Sequence, residues 1–216
     1  MTRGFTKLMA LPMTPEGPRN QGTGEKLQQA LLADLDSGFA DVVHAYEPVL
    51  YAVALRLSRR PADAEDLSAE AFLHAYRALR GYDAERISAL ALRPWLLTIL
   101  RNITRNAARD AARRPDPPPA FEPAEQLTTA PSVEQQVEQR DVARELGAVL
   151  AALPEIQRTA VVLRHVIGLP TSEVAEVLGC PDGTAKSHIW RGLRRLRALL
   201  TEQPDTSLLT SERTVR

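Results

Sequence analysis

Six of the chain's 16 prolines, Pro115, Pro117, Pro118, Pro119, Pro123 and Pro131, fall in the 19 residues from Pro115 to Val133. Each ring fixes φ near about −65° and removes a backbone N–H. Such a stretch cannot propagate helix and tends toward extended polyproline geometry, a semi-rigid spacer. On both sides of it apolar residues recur at three- and four-residue intervals, and the period-2 alternation of strands is absent. The chain therefore reads as all-α: two small helical domains, about 26–114 and 134–200, on a Pro-rich strap over 115–133. Residues 1–25, rich in Gly, Pro and Thr without periodicity, read as a disordered arm, and 201–216 as a polar tail.

The periodicity places the helices. Val42, Val43, Tyr46, Val49, Leu50, Val53, Ala54 and Leu57 form one apolar stripe. Pro61 opens a second helix, in which Leu67, Ala71, Phe72, Ala75, Tyr76 and Leu79 share a face, and Gly81 ends it. Trp95, Leu96, Ile99, Leu100, Ile103 and Ala107 make the buried stripe of a third. In the second domain a break near Leu153-Pro154 divides two helices. Thr171 or Ser172 then caps a short helix with Val174, Ala175 and Leu178 inward. Gly179 makes a sharp turn, Pro181 starts the next helix, and Ile189, Leu193, Leu196 and Leu200 face the core.

Several classes fall away on composition. One cysteine, Cys180, excludes an internal disulfide framework and a Cys-rich zinc site, and it reads as a small hydrophobe in the turn. No apolar run approaches the ~18 residues of a bilayer span, and the N-terminus lacks a secretory pattern. A cytoplasmic protein without membrane insertion is the expectation.

The charges balance, 27 basic against 27 acidic, yet they are segregated. Residues 61–70 hold Asp63, Glu65, Asp66 and Glu70 and no base. These carboxylates suit the positive end of a helix dipole, a docking face for a basic surface, or a metal site in a helical enzyme. His44, His74, His165 and His188 lack the spacing of a metal-ligating pair such as HExxH. Residues 93–114 carry six arginines against one aspartate. Arg101, Arg105, Arg109 and Arg113, four apart, stack in a column flanked by Asn102 and Asn106. Like charges so placed repel one another, and a polyanion relieves them while shedding its own counterions. Trp95 and Tyr82 could stack on exposed bases, although Trp95 also starts the apolar stripe. The other reading of the column is a solvated helix face.

Residues 170–200 spell a short helix, a glycine turn and a longer basic helix, the helix-turn-helix arrangement that reads the major groove. Thr184, Lys186, Ser187 and Arg191, with His188, are the candidate DNA contacts, and Arg194 and Arg195 share the exposed sides.

Taken in order, DAEDLSAEAFLHAYRAL, RPWLLTILRNITRNAARDAARR, LPEIQR and LGCPDGTAKSHIWRGLRRLR resemble a bacterial RNA polymerase sigma factor of the extracytoplasmic-function (ECF) class, which keeps regions 2 and 4 of the sigma-70 family. The resemblance spans about 37–114 and 140–200. It implies that Asp63, Glu65, Asp66 and Glu70 dock on the polymerase clamp helices. It also implies that Trp95, Arg101, Asn102, Arg105 and Asn106 help melt and hold the −10 element. The loop from Gly81 to Arg93 would trap a flipped base, and Thr184, Lys186, Ser187, His188 and Arg191 would read the −35 element. Where the family has Gln, a branched residue and Arg, this chain has Ala69, Ala185 and His188.

The implied partners are polymerase core, gripped at clamp and flap, promoter DNA and an anti-sigma factor. The free chain is expected to be a monomer with no cofactor and no catalytic activity. A DNA-binding regulator that acts without polymerase, its 26–114 domain a sensor or dimerisation module, is the alternative.

Overall fold

The structure is a computed structural model that describes residues 21–58, 61–113 and 147–202. Among these every regular element is helical: α1 (Gln21–Ala33), α2 (Leu35–Leu57), α3 (Pro61–Leu79), α4 (Ala84–Ser88), α5 (Leu92–Arg113), α6 (Glu155–Val161), α7 (Thr171–Leu178) and α8 (Asp182–Glu202). Residues 147–151 are also helical, and α6 runs directly into a π-helical turn, Val162–Val166. The strap at 115–133 lies outside the described residues, as do most of the N-terminal arm and the tail beyond Glu202. The arm's expected limit shifts, because α1 begins at Gln21 with Leu27 and Leu31 buried.

Asp34 separates α1 from α2 by capping: its carboxylate accepts from the Ser37 N–H at 2.8 Å and the Ser37 hydroxyl at 2.7 Å. Those bonds hold its pKa below the ordinary carboxylate value. The two helices then fold back closely because Gly38 has no side chain. A Cβ there would stand 2.5 Å from the backbone carbon of Ala30. Pro48 sits inside α2 without ending it. Burial of Val42, Tyr46, Leu50, Val53 and Ala54 against neighbouring helices outweighs the ~3 kcal/mol that an interior proline costs.

α3 presents a row of small buried residues, Ala64, Ser68, Ala71 and Ala75, that lets its backbone approach its neighbours. The Ser68 hydroxyl donates to the Ala64 carbonyl at 2.7 Å, so burying it leaves no donor unmet. On α5 the core face comprises Leu92, Leu96, Leu97, Leu100 and Ile103. Trp95 and Ile99 are half-buried, and Ala107 is exposed, which corrects the stripe read from periodicity. The helix outruns the core that covers its first three turns.

The second unit is built round α8. Gly192 lies under α6, where a Cβ would meet Val161 Cγ2 at 2.6 Å. Ala185, Ile189 and Leu196 fill the seam, with Leu193 and Leu200 half-buried. α7 starts after Pro170 with no side-chain cap, so neither Thr171 nor Ser172 caps it. It ends at Gly179 (φ +65°), and the Cys180 N–H closes the turn on the Ala175 carbonyl at 3.0 Å. No helix among the described residues is long and apolar enough to cross a membrane.

The two units touch. α5 packs on α7, and α2 meets α6 and the π turn.

Candidate nucleic-acid interface

The turn at Gly179 sets α8 across α7 with one face free. Thr184, Lys186, Ser187, Arg191, Arg194 and Arg195 are all exposed there. His188 is half-buried, and its Nδ1 is enclosed without a hydrogen-bond partner, so this residue faces the seam more than the groove. The Ser187 hydroxyl is turned back onto the Gly183 carbonyl at 2.9 Å and must rotate to meet a base. Charge counting overlooks Trp190, which is 58% exposed among these residues with the Arg194 guanidinium 5.0 Å from its ring centre. A cation over an indole is held weakly at an exposed site, about 0.5–1 kcal/mol. An apolar residue in an otherwise basic, exposed helix face was the available signal.

The arginine column of α5 divides. Asn102, Asn106, Arg109 and Arg113 are exposed, and Asp110 lies 3.8 Å from Arg113. Arg101 and Arg105, expected on the open face, are half-buried against the second unit. Arg101 Nη1 donates to the Val177 carbonyl at 3.3 Å, and the Nε of each arginine is enclosed without a hydrogen-bond partner. Burial pulls the Arg101 pKa below its ordinary value and the Arg105 charge adds to this, while Glu155 opposes it. An enclosed donor left unmet costs about 1–3 kcal/mol, so this packing holds both guanidinium groups at a penalty.

At the start of α5, Trp95 meets Tyr82 with ring centres 6.0 Å apart and planes at 53°. Arg86 lies over the other ring at 3.8 Å from its centre. Tyr82 comes from the loop after α3, Arg86 from the short α4 and Trp95 from the first turn of α5. They form a half-open aromatic cluster of the kind that stacks on a base.

On α3, Asp63, Asp66 and Glu70 share one side at three- and four-residue spacing, with Asp66 and Glu70 exposed. Glu65, also exposed, lies round the helix toward Tyr51 of α2. Burial raises the Tyr51 hydroxyl pKa, and the Glu65 charge adds to it. Glu70 approaches His74 at 3.6 Å. Leu73, 46% exposed, continues the acidic side as an apolar spot that the sequence reading missed. Among the described residues no three His, Cys, Asp or Glu side chains converge as a metal site requires.

Fold and site together define a helical DNA-reading chain with a helix-turn-helix in one unit and a second basic helix in the other. The family model for sigma-70 region 2 matches residues 42–114, and that for sigma-70 region 4 matches residues 143–196. The ECF RNA polymerase sigma factor SigW of Bacillus subtilis is 29% identical over 185 residues, 82% of this chain and 96% of that protein. The ECF sigma factor EcfG of Rhodopseudomonas palustris is 33% identical over 166 residues, 77% of this chain and 87% of that protein. Among solved structures, the sigma factor RpoE from the Bartonella quintana complex with the anti-sigma factor NepR aligns with a TM-score of 0.59 and 26% identity. That alignment covers 77% of this chain and 98% of RpoE. The chain belongs to the sigma-70 family and is an RNA polymerase sigma factor of the ECF class.

Proposed function

We propose that the chain holds polymerase core through α3 and the second unit while α8 reads the −35 element and α5 holds the melted −10 strand. The observation that carries this is the exposed face of α8, where Thr184, Lys186, Ser187, Trp190 and Arg191 stand clear of the fold on a glycine-turned helix. Arg191 can supply a bidentate pair to guanine and Lys186 a phosphate contact, the first giving sequence choice and the second affinity. Trp190 offers an apolar surface for a thymine methyl or sugar.

The region 2 unit runs over about 26–114 and the region 4 unit over about 134–200. Tethering makes the second contact intramolecular, so two modest affinities add to a specific promoter grip. Trp95, Arg101, Asn102, Arg105 and Asn106 capture the −10 strand, with Tyr82 and Trp95 stacking on an unpaired base. Stacking of about 1–3 kcal/mol per base offsets an unpairing cost of a few kcal/mol, without nucleotide hydrolysis by this chain. Asp63, Glu65, Asp66 and Glu70 dock on the clamp helices, with Leu73 extending the side that Asp66 and Glu70 share.

The work is done on cytoplasmic polymerase, and an anti-sigma factor restrains it, a reading supported by the related RpoE having been crystallised with NepR.

Gel filtration and gel shift with purified core test these assignments. Asp66→Arg with Glu70→Arg should abolish co-elution with core. Arg191→Glu should leave co-elution intact and remove promoter retention. Tight promoter binding by the free chain, unchanged on adding core, would favour a polymerase-independent regulator instead.

A further inference from the structure

We propose that Gln28 of α1 is a positioning residue for the −10 strand: its amide clamps the joint between α4 and α5 and so holds Tyr82, Arg86 and Trp95 in register for an unpaired base. The clamp stands on geometry alone; its effect on base choice rests on assigning this cluster to the −10 element.

The joint is short and almost all of its bonds are local. The Ala89 N–H closes α4 on the Glu85 carbonyl, and the Leu90 N–H donates to the Ile87 carbonyl at 3.2 Å. The Ala91 carbonyl accepts from the Trp95 N–H at 3.0 Å and opens α5. Between them the Leu90 carbonyl is stranded, because the residue four on is Pro94, which has no N–H to give. Gln28 supplies the donor from 62 residues away in sequence, with Nε2 at 2.8 Å from that oxygen.

Packing alone would not set this joint. α4 has five residues, too few to hold a helix by itself in water. It rests against α1, with Leu27 and Leu31 of α1 and Ile87 of α4 buried. Apolar burial is non-directional, so it brings the two helices together without fixing the point where α4 hands over to α5. A hydrogen bond is directional, and this one fixes that point.

The aromatic cluster straddles the joint. Tyr82 and Arg86 precede it and Trp95 follows it, bonded through its N–H to the residue next to Leu90. A shift at the Leu90 carbonyl therefore moves the indole against the Tyr82 ring, 6.0 Å away, while Arg86 stays with Tyr82 at 3.8 Å. Gln28 acts on the strand through these rings. It stands ahead of residues 42–114, which the region 2 model matches, on a helix that the motifs of the chain do not include.

Trp95 reports on the clamp once Trp190, the other tryptophan, is changed to Phe. In that background, without DNA or polymerase, acrylamide should quench Trp95 at least about 1.5-fold more strongly in Gln28→Met, which keeps the length and loses the donor. Gln28→Lys, which keeps a terminal donor, should stay near the parent. Gly24 of α1 has open space around its Cα, so Gly24→Ala firms that helix without restoring the donor. Added to Gln28→Met, it should leave quenching raised. Equal quenching in parent and Gln28→Met overturns the clamp. Equal rises in Met and Lys variants, or a return to the parent's value with Gly24→Ala, overturn it as well, since either marks fraying of α1.

Base choice is read with all tryptophans in place. Holoenzyme made from purified core and each chain selects from fork-junction duplexes whose unpaired non-template strand is randomised. Gln28→Met should lose about fivefold in base preference at one unpaired position and keep the parent's preferences elsewhere, with Gln28→Lys like the parent. Preferences unchanged in Gln28→Met, or reduced evenly at every position, overturn the positioning role. A parent that selects no unpaired base overturns the −10 assignment and leaves the clamp to be decided by quenching.

Discussion

Two glycines in neighbouring turns show how local geometry decides a residue's worth. Gly179 holds φ at +65°, where any Cβ meets the following carbonyl, so Gly179→Ala should cost about 1–2 kcal/mol in urea unfolding. Gly183 lies in the first turn of α8 with open space around its Cα, so Gly183→Ala should stabilise by up to about 1 kcal/mol. Equal effects of the two changes would contradict this reading of the turn. His165 provides a pH test. Burial, with Arg164 adding to it, lowers its pKa below the ordinary 6.5, so the folded chain resists a proton that the unfolded chain accepts. The unfolded state then binds more protons, and stability falls as pH drops from about 6.5 toward the folded value. Urea midpoints measured down that range should decline in the parent and flatten in His165→Leu. A parent midpoint that does not decline would show that the ring is not shielded.

At the scale of elements, α5 separates what periodicity can tell from what it cannot. Leu96, Leu100 and Ile103 were legible as core because helical spacing fixes which side of a helix is apolar. Ala107 was misread because the same spacing continues past the end of the covering helices, and Leu97 was missed because the buried sector is wider than one stripe. Leu100→Ala should therefore cost about 2–5 kcal/mol, as large-to-small changes in a close-packed core do. Ala107→Ser should change stability by no more than about 0.5 kcal/mol. Thermal or urea unfolding of the pair checks both, and a small loss at Leu100 would mean the helix is loosely seated. The helix-turn-helix was more legible than α5. Gly179, Pro181 and the apolar set of α8 each carry a local backbone or packing rule, and all of them point to the same turn. Thr171 and Ser172 misled because a capping residue type is not a capping hydrogen bond, and Pro170 occupies that position.

The whole molecule adds what no single helix pattern contains. Arg101 and Arg105 read as exposed because charge predicts solvent, yet the contact that half-buries them comes from α7, across the Pro-rich strap in sequence. Amphipathic pattern names the face to be covered and is silent on which partner covers it. Trp190 is illegible for a related reason: it is apolar, and charge alone does not mark an exposed apolar ring as part of a DNA face. The family, by contrast, was carried by several motifs in order, each tied to a helix that the structure contains. On the proposed function, one chain gives polymerase its choice of start sites by gripping a promoter at two places. Mapping the 5′ ends of RNA made on genomic fragments by purified core, with and without the chain, tests it most directly. Starts absent with core alone should appear, share two sequence blocks upstream at one fixed spacing, and be lost with Arg191→Glu. The same 5′ ends with and without the chain would contradict it.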